Sequence, residues 1–258
     1  PHTAAMQQLA EDFWNIRAAY RVAGVLDIGT HMSAVRRPDG RFVLVDAAAL
    51  DDASREALMA LTEGGSLVDA VVHVHPFHTL QVEPLHRLFP SATLHGTARH
   101  RRLMPGLPWA GEPVERWQAG HPLADVFELS VPEGVDFVCP DERVHVASVL
   151  VRHPASRIVH VDDTLNVIAA PGVLGRLLPQ SGLRMHPMLG RALQQRPGAA
   201  DDYARWARGL AGRWSDTRFV CAAHSAVREL PPGGFEREVL DALERVRRTL
   251  DRHRRRHG

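Results

Sequence analysis

The stretch Val71-Val72-His73-Val74-His75-Pro76-Phe77-His78 decides how the rest of the chain is read. It begins inside a short apolar run, Asp69 to Val74, with the length and β-branched composition of a buried strand, and it leads directly into three histidines. Residues at the carboxyl end of a strand are held by the sheet while their side chains reach into a crevice. In an extended segment His73 and His75 fall on one side, close enough to share an ion. Neutral imidazoles on a rigid edge are good ligands for zinc or iron.

Working outward, three more places offer ligands at the edge of an expected strand. His145 opens Val144-His145-Val146-Ala147-Ser148. Asp163 ends Ile158-Val159-His160-Val161-Asp162-Asp163. His224 follows Phe219-Val220-Cys221-Ala222-Ala223. Strand side chains alternate, so His160 points away from Asp163 and reads as a packed core residue. His95, His100, His121 and His186 read as loop or surface residues, and Trp109 and Trp117 as anchors of a long loop.

The remaining pattern is that of a layered α/β domain. Met6, Leu9, Phe13, Ile16 and Tyr20 suit a helical stripe or a strand equally. Gly24–Ala34 and Arg41–Ala47 read as strands around a Pro38-Asp39-Gly40 turn. Asp51 or Asp52 caps a helix that ends at Gly64-Gly65. A second helix runs from about Thr79 to Phe89, followed by a strand at Ala92–His95 and a loop from Arg99 to Pro122. Later strands are expected at Val126–Val131, Val135–Val138, Val144–Val151, Arg157–Val161 and, last, Arg218–Ala222. Between them lies a helical stretch, Leu174–Leu210, with an Asp201-capped segment, and a terminal helix carries Phe235, Val239, Leu243, Val246 and Leu250.

Composition removes whole function classes. The 258 residues are 45% hydrophobic and 24% charged, and 31 basic against 30 acidic residues leave a net charge of +1. Nothing in that balance draws the chain to nucleic acid or a membrane surface. All 31 basic residues are Arg, so Schiff-base, P-loop and kinase-type lysine chemistry is excluded. The 16 histidines contrast with two cysteines, Cys139 and Cys221, too few for a disulfide framework. With no apolar run of membrane length and no visible secretion signal, the expected setting is cytoplasmic. The Arg252–Arg256 block reads as helix-end charge suited to the dipole, alongside the helix-face pairs Asp241/Arg245 and Glu244/Arg248.

The histidine cluster, the single histidine, the aspartate and the closing histidine occur in the order that resembles the metallo-β-lactamase fold superfamily. His73-Val74-His75-Pro76-Phe77-His78 is similar to its H-x-H-x-D-H motif, the His145–Ser148 segment to its H-T-x-G-S, Asp163-Thr164-Leu165 to its G-D-x-L, and Ala223-His224-Ser225 to its closing G-H-G. The resemblance covers roughly Val22 to Leu230 and implies a four-layer αββα sandwich. It further implies a single domain over 1–258, with a helical insertion around 166–212 and a C-terminal helix at 235–256. His73, His75 and His145 would hold a first metal, His78 and His224 a second, and Asp163 would bridge. Phe77 stands where the family has its aspartate and offers no lone pair, and Asp162 stands where glycine is usual.

The implied activity is metal-dependent hydrolysis of a small ester, thioester or phosphoester, with one or two Zn2+ ions and Fe as the other candidate. Asp163 would orient the water, and His224 would bind metal or steady an oxyanion. Two alternatives come with the same resemblance. One is a mononuclear iron dioxygenase acting on thiols or persulfides, using His73, His145 and Asp163. The other is a degenerate member without catalysis, to which Phe77 points. The expected partner is a small-molecule substrate, with neither nucleic acid nor membrane. The helical insertion serves in this reading as a lid or as the surface of a homodimer.

Overall fold

The computed structural model describes residues 5–18, 21–22, 26–27, 29–167, 182–223 and 227–258. His224 and the first part of the expected helical stretch, 174–181, lie outside the described residues. The chain divides into two compact units, Pro1–Glu128 with His153–Ser156, and Leu129–Arg152 with Arg157–Gly258.

The first unit contains β1 (Ala5–Ala10), β2 (Phe13–Ala18), β3 (Arg21–Val22), β4 (Leu26–Asp27), β5 (Thr30–Arg36), β6 (Phe42–Val45), α1 (Asp52–Leu61), β7 (Val68–Val72), α2 (Val82–Leu88), β8 (Thr93–His95) and α3 (Ala98–Leu103). Its six-stranded sheet has the order β1-β2-β5-β6-β7-β8. The β1 to β6 pairs are antiparallel, while β6, β7 and β8 run parallel. The ambiguous N-terminal segment is therefore a hairpin. Its turn is closed by the Arg36 amide, which donates to the Asp12 carbonyl at 2.9 Å, and by the Arg36 guanidinium on the Asp12 carboxylate at 2.8 Å. Burial of Phe13, Trp14, Asn15 and Ile16 in succession suits a strand covered on both faces, which a surface helix is not.

The turn at Pro38–Gly40 forms as read, with Gly40 at φ +84° and the Arg41 amide donating to Asp39 at 3.0 Å. Asp51 caps α1 by accepting the Ser54 amide at 2.8 Å. The expected loop from Arg99 to Pro122 is in part a helix. Thr97 starts α3 through a reciprocal capping box with His100, a pairing usually made by Glu or Gln at that position. The core of this unit gathers Ile16, Met32, Phe42, Leu44, Leu58, Val71, Leu85, Phe89 and Leu94.

The second unit contains β9 (Glu128–Ser130), β10 (Leu150–His153), β11 (Ile158–Val161), β12 (Leu165–Val167), β13 (Leu183–Met185), α4 (Leu189–Ala192), α5 (Ala199–Arg213), β14 (Phe219–Ala222), β15 (Val227–Glu229), α6 (Gly234–Arg245) and α7 (Arg247–His257). Its sheet has the order β15-β14-β11-β10-β9, beside a β12–β13 pair. β14 is not the last strand, because β15 pairs antiparallel along its edge. Among the described residues the Val135–Val138 run makes only an isolated bridge, Val135 to Leu193. The described part of the 174–210 stretch holds β13, α4 and most of α5. Gly198, at φ +76°, is the N-cap of α5, and Asp201 sits in the first turn, where a carboxylate suits the dipole. The expected terminal helix is two helices, broken at Val246, whose φ of −92° and ψ of 4° leave the helical region. Tyr203, Trp206, Leu210, Phe235, Val239, Leu243 and Leu250 pack with Val159, Val161, Leu165 and Leu183 into the second core. Among the described residues no helix is long and apolar enough to cross a membrane.

Candidate metal centre

The histidine-bearing turn begins where β7 ends. Parallel pairing carries one residue past the strand, with the His73 amide donating to the His95 carbonyl at 3.0 Å. The chain is then captured by Asp46, the residue after β6. Its carboxylate accepts the Val74 amide at 2.8 Å, while its own amide donates to the Val72 carbonyl at 2.8 Å. Asp46 adopts φ +59°, a left-handed conformation that Asp tolerates better than most residues. It is 1% exposed. Its signal in the sequence is an aspartate directly after the apolar run Phe42-Val43-Leu44-Val45, a residue outside the expected ligand set.

Beyond this point the His73 and His75 rings meet different neighbours. The His73 ring packs against His100 (centroids 5.4 Å apart) and the edge of Trp109 (6.1 Å). His75 instead lies over His78, with centroids 4.0 Å apart and a ring nitrogen of each within 4.8 Å of the other. The Phe77 amide donates to the His75 Nδ1 at 3.2 Å. Phe77, in the place of a carboxylate, carries the Arg99 guanidinium 4.4 Å from its ring centroid. Arg99 also donates to the Pro76 carbonyl at 3.1 Å and so braces the turn.

Several of the lower-ranked histidines are buried parts of this region. His100 Nδ1 accepts from Thr97, and its Nε2–H donates to the His78 carbonyl at 3.3 Å. Burial pushes its pKa down to about 4, against the opposing pull of that carbonyl. His73 is held well below the ordinary imidazole range by burial first, then by the charges of His100 and His86. Both His73 ring nitrogens are buried without a hydrogen-bond partner, an arrangement that costs about 1–3 kcal/mol unless something binds there. His95 is lowered mainly by burial and meets the edge of Trp117 at 5.0 Å. Trp109 and Trp117 do anchor the loop, each donating its indole N–H to a backbone carbonyl, Met104 and Glu112 respectively.

In the second unit, β11 leads into two successive aspartates, Asp162 and Asp163. His160 and Asp162 are two residues apart, so they share a face of the strand end, and a ring nitrogen and a carboxylate oxygen lie within 4.8 Å. Both are almost fully buried. The alternation that set His160 away from Asp163 was the signal that places it beside Asp162. Asp163 is buried as well, and its backbone carbonyl accepts the Asn166 side-chain Nδ2–H at 2.9 Å, but its carboxylate is outside the metal-compatible groups of three or more side chains among the described residues. His145 lies in irregular chain before β10, half-buried, with its Nε2 on the Glu142 carbonyl at 2.5 Å. Ser148 and Thr164 tie the two segments together, the Ser148 amide donating to the Thr164 hydroxyl at 2.9 Å.

The donors suit a metal ion. Imidazole with carboxylate is a zinc or iron set, and the unbonded His73 nitrogens add buried lone-pair capacity.

No family model matches the chain, and no curated protein matches it. Solved structures do. A metallo-β-lactamase from Hirschia baltica is 16% identical, with a TM-score of 0.59 over 94% of this chain and 97% of that one. One from Erythrobacter litoralis, with β-mercaptoethanol in its active site, is 18% identical at TM-score 0.59, covering 94% and 96%. One from Pontibacter korlensis is 14% identical at TM-score 0.59, covering 94% and 99%. Agreement of backbone path over nearly whole chains, at such low identity, is agreement of fold. The chain has the metallo-β-lactamase fold.

Proposed function

We propose that this protein is a metal-dependent hydrolase of small ester, thioester or phosphoester substrates. The observation that carries the reading is the His75–His78 imidazole pair, held at the end of β7 by the Asp46 clamp, in a chain of this fold. His75 and His78 in the first unit, and His160 and Asp162 in the second, are the proposed ligands that geometry within each unit supports. His73, His145, Asp163 and His224 are proposed on the resemblance.

A bound zinc or iron ion supplies Lewis acidity and a water of lowered pKa. The chain's own residues set the conditions around it. The hydrogen bonds of Asp46 and Arg99 fix the backbone from which His75 and His78 project. Burial keeps His73 and His100 neutral, so the His73 lone pair stays available at neutral pH while His100 is spent on Thr97 and the His78 carbonyl. Phe77 contributes an apolar wall and no charge, which favours one ion over two. It also supports a second reading, a member of the fold without catalysis.

Metal content of protein purified without added metal, measured by mass spectrometry, tests the proposal. About one zinc per chain, lost in the His75→Ala/His78→Ala double variant together with hydrolysis of a model thioester or phosphoester, is the expected result. One iron per chain with oxygen uptake on a persulfide would replace hydrolase with oxygenase. No metal after incubation with excess zinc would leave the non-catalytic reading.

A further inference from the structure

We infer that the groove between α7 and the Pro187–Arg191 segment is a binding site for a small phosphate-bearing anion. The groove encloses about 400 Å3, within the usual range for small-molecule sites. One face of α7 supplies Thr249, Arg252, His253, Arg256 and His257, residues spaced by three and four and therefore aligned along the helix. Arg191 closes the opposite side.

The packing makes room for that face. A Cβ on Gly190 would stand 2.8 Å from the Thr249 methyl, so glycine lets α4 approach α7 this closely. His253 is buried and its Nε2 meets the Gln194 carbonyl at 2.9 Å, while the His257 ring stacks on it at 4.5 Å. The imidazoles are thus fixed in place.

Part of the charge at the groove is uncompensated. Arg191 is paired with Asp141 at 2.7 Å, Arg247 with Glu244, and Arg254 with Asp201 and Asp251. Arg252 and Arg256 have no acidic partner among the described residues. Two unpaired guanidiniums four residues apart, beside a hydroxyl and two imidazoles, match the planar fork recognition of phosphate oxygens. A helix end that needed only dipole compensation would not require them to line a cavity. The pairing of Arg247 and Arg254 with acids also interrupts the basic stripe that a nucleic-acid backbone would follow, which favours a compact ligand.

The test is calorimetric titration of the whole protein with inorganic pyrophosphate, orthophosphate and a 20-base-pair DNA duplex at physiological salt. Pyrophosphate is expected to bind with one site per chain. The double variant Arg252→Gln/Arg256→Gln should weaken it at least tenfold, and Arg255→Gln, on an exposed position outside the groove, should leave it within twofold. Circular dichroism of the variants checks that all are folded. Absence of pyrophosphate binding, an equal loss in Arg255→Gln, or tighter binding of the duplex than of pyrophosphate would each overturn the assignment. The groove shares no residue with the proposed metal ligands, so a pyrophosphate signal that persists in Arg252→Gln/Arg256→Gln reports another site, the metal centre included, and also overturns the assignment.

Discussion

Asp46 shows how one side chain can set the geometry of a site it need not enter. Its φ of +59° stores strain of about 1–3 kcal/mol, which its hydrogen bonds to Val72 and Val74 offset. Asp46→Ala removes the acceptor and keeps the strain, and should cost about 2–4 kcal/mol in urea unfolding. Asp46→Asn retains an acceptor oxygen and tolerance of the left-handed region, and should recover at least half of that loss. Equal stability of the alanine variant and wild type would show that the clamp is incidental. Cys139 illustrates the opposite case, a group that its surroundings silence. Burial, with Asp136 and Asp141 nearby, pushes its thiol up to about 11. Two units above an ordinary thiol leaves roughly 100-fold less thiolate at pH 8. Iodoacetamide should therefore alkylate Cys139 at least ~100-fold more slowly in the native protein than in urea, as followed by peptide mass spectrometry. Comparable rates would contradict the burial.

At the scale of elements, close approaches decide which positions tolerate change. Gly134 has φ +72°, and a Cβ there would lie 2.0 Å from the Ala199 carbonyl oxygen at the start of α5. Gly134→Ala must displace that helix end and should cost more than ~3 kcal/mol. Gly120→Ala, at φ +82° with open space around it, should cost only about 1 kcal/mol. Similar melting temperatures for the two variants would refute the packing argument. The ion pair between β15 and α6 makes a pH-dependent contribution. Burial alone would raise the Glu238 carboxyl. The Arg228 fork, at 2.8 and 2.5 Å, and the Leu183 amide at 3.0 Å outweigh it and hold the pKa below its ordinary 4.5. A carboxyl lowered by folding stabilises above its unfolded value and loses that contribution as pH falls through the folded one. Glu238→Gln should therefore cost about 2 kcal/mol at pH 7 and progressively less below pH 4.5. A stability gap that stays constant down to pH 3 would count against the pair.

For the whole molecule the central prediction is linkage between metal and stability. An ion that binds only the folded chain adds about 2.7 kcal/mol at a hundred times its Kd. In a chain of this size that amounts to a rise in Tm of roughly 5–10 °C. Zinc added to chelator-treated protein should produce it, and the His75→Ala/His78→Ala double variant should not respond. An unchanged Tm at saturating zinc would remove the support for a metal centre at the end of β7.

Local patterns were sufficient for much of this architecture. The strand ending at the histidine cluster, the Asp51 cap, the Pro38–Gly40 turn and the α/β alternation all rest on interactions within a few residues, and the order of the histidine and aspartate segments pointed to the right fold. Period-two alternation in principle already paired His160 with Asp162. Other features depend on partners distant in sequence. Asp46 accepts the Val74 amide across 28 positions, within the turn where His73 meets Trp109 and His75 meets His78. The break at Val246 and the identity of β15 as an edge strand likewise follow from packing and pairing, which no periodicity encodes. Local pattern alone fixed which strands run into histidine- and aspartate-bearing turns. Tertiary structure decided which imidazoles meet, because side-chain direction at a strand end is set by the neighbour that captures the outgoing backbone.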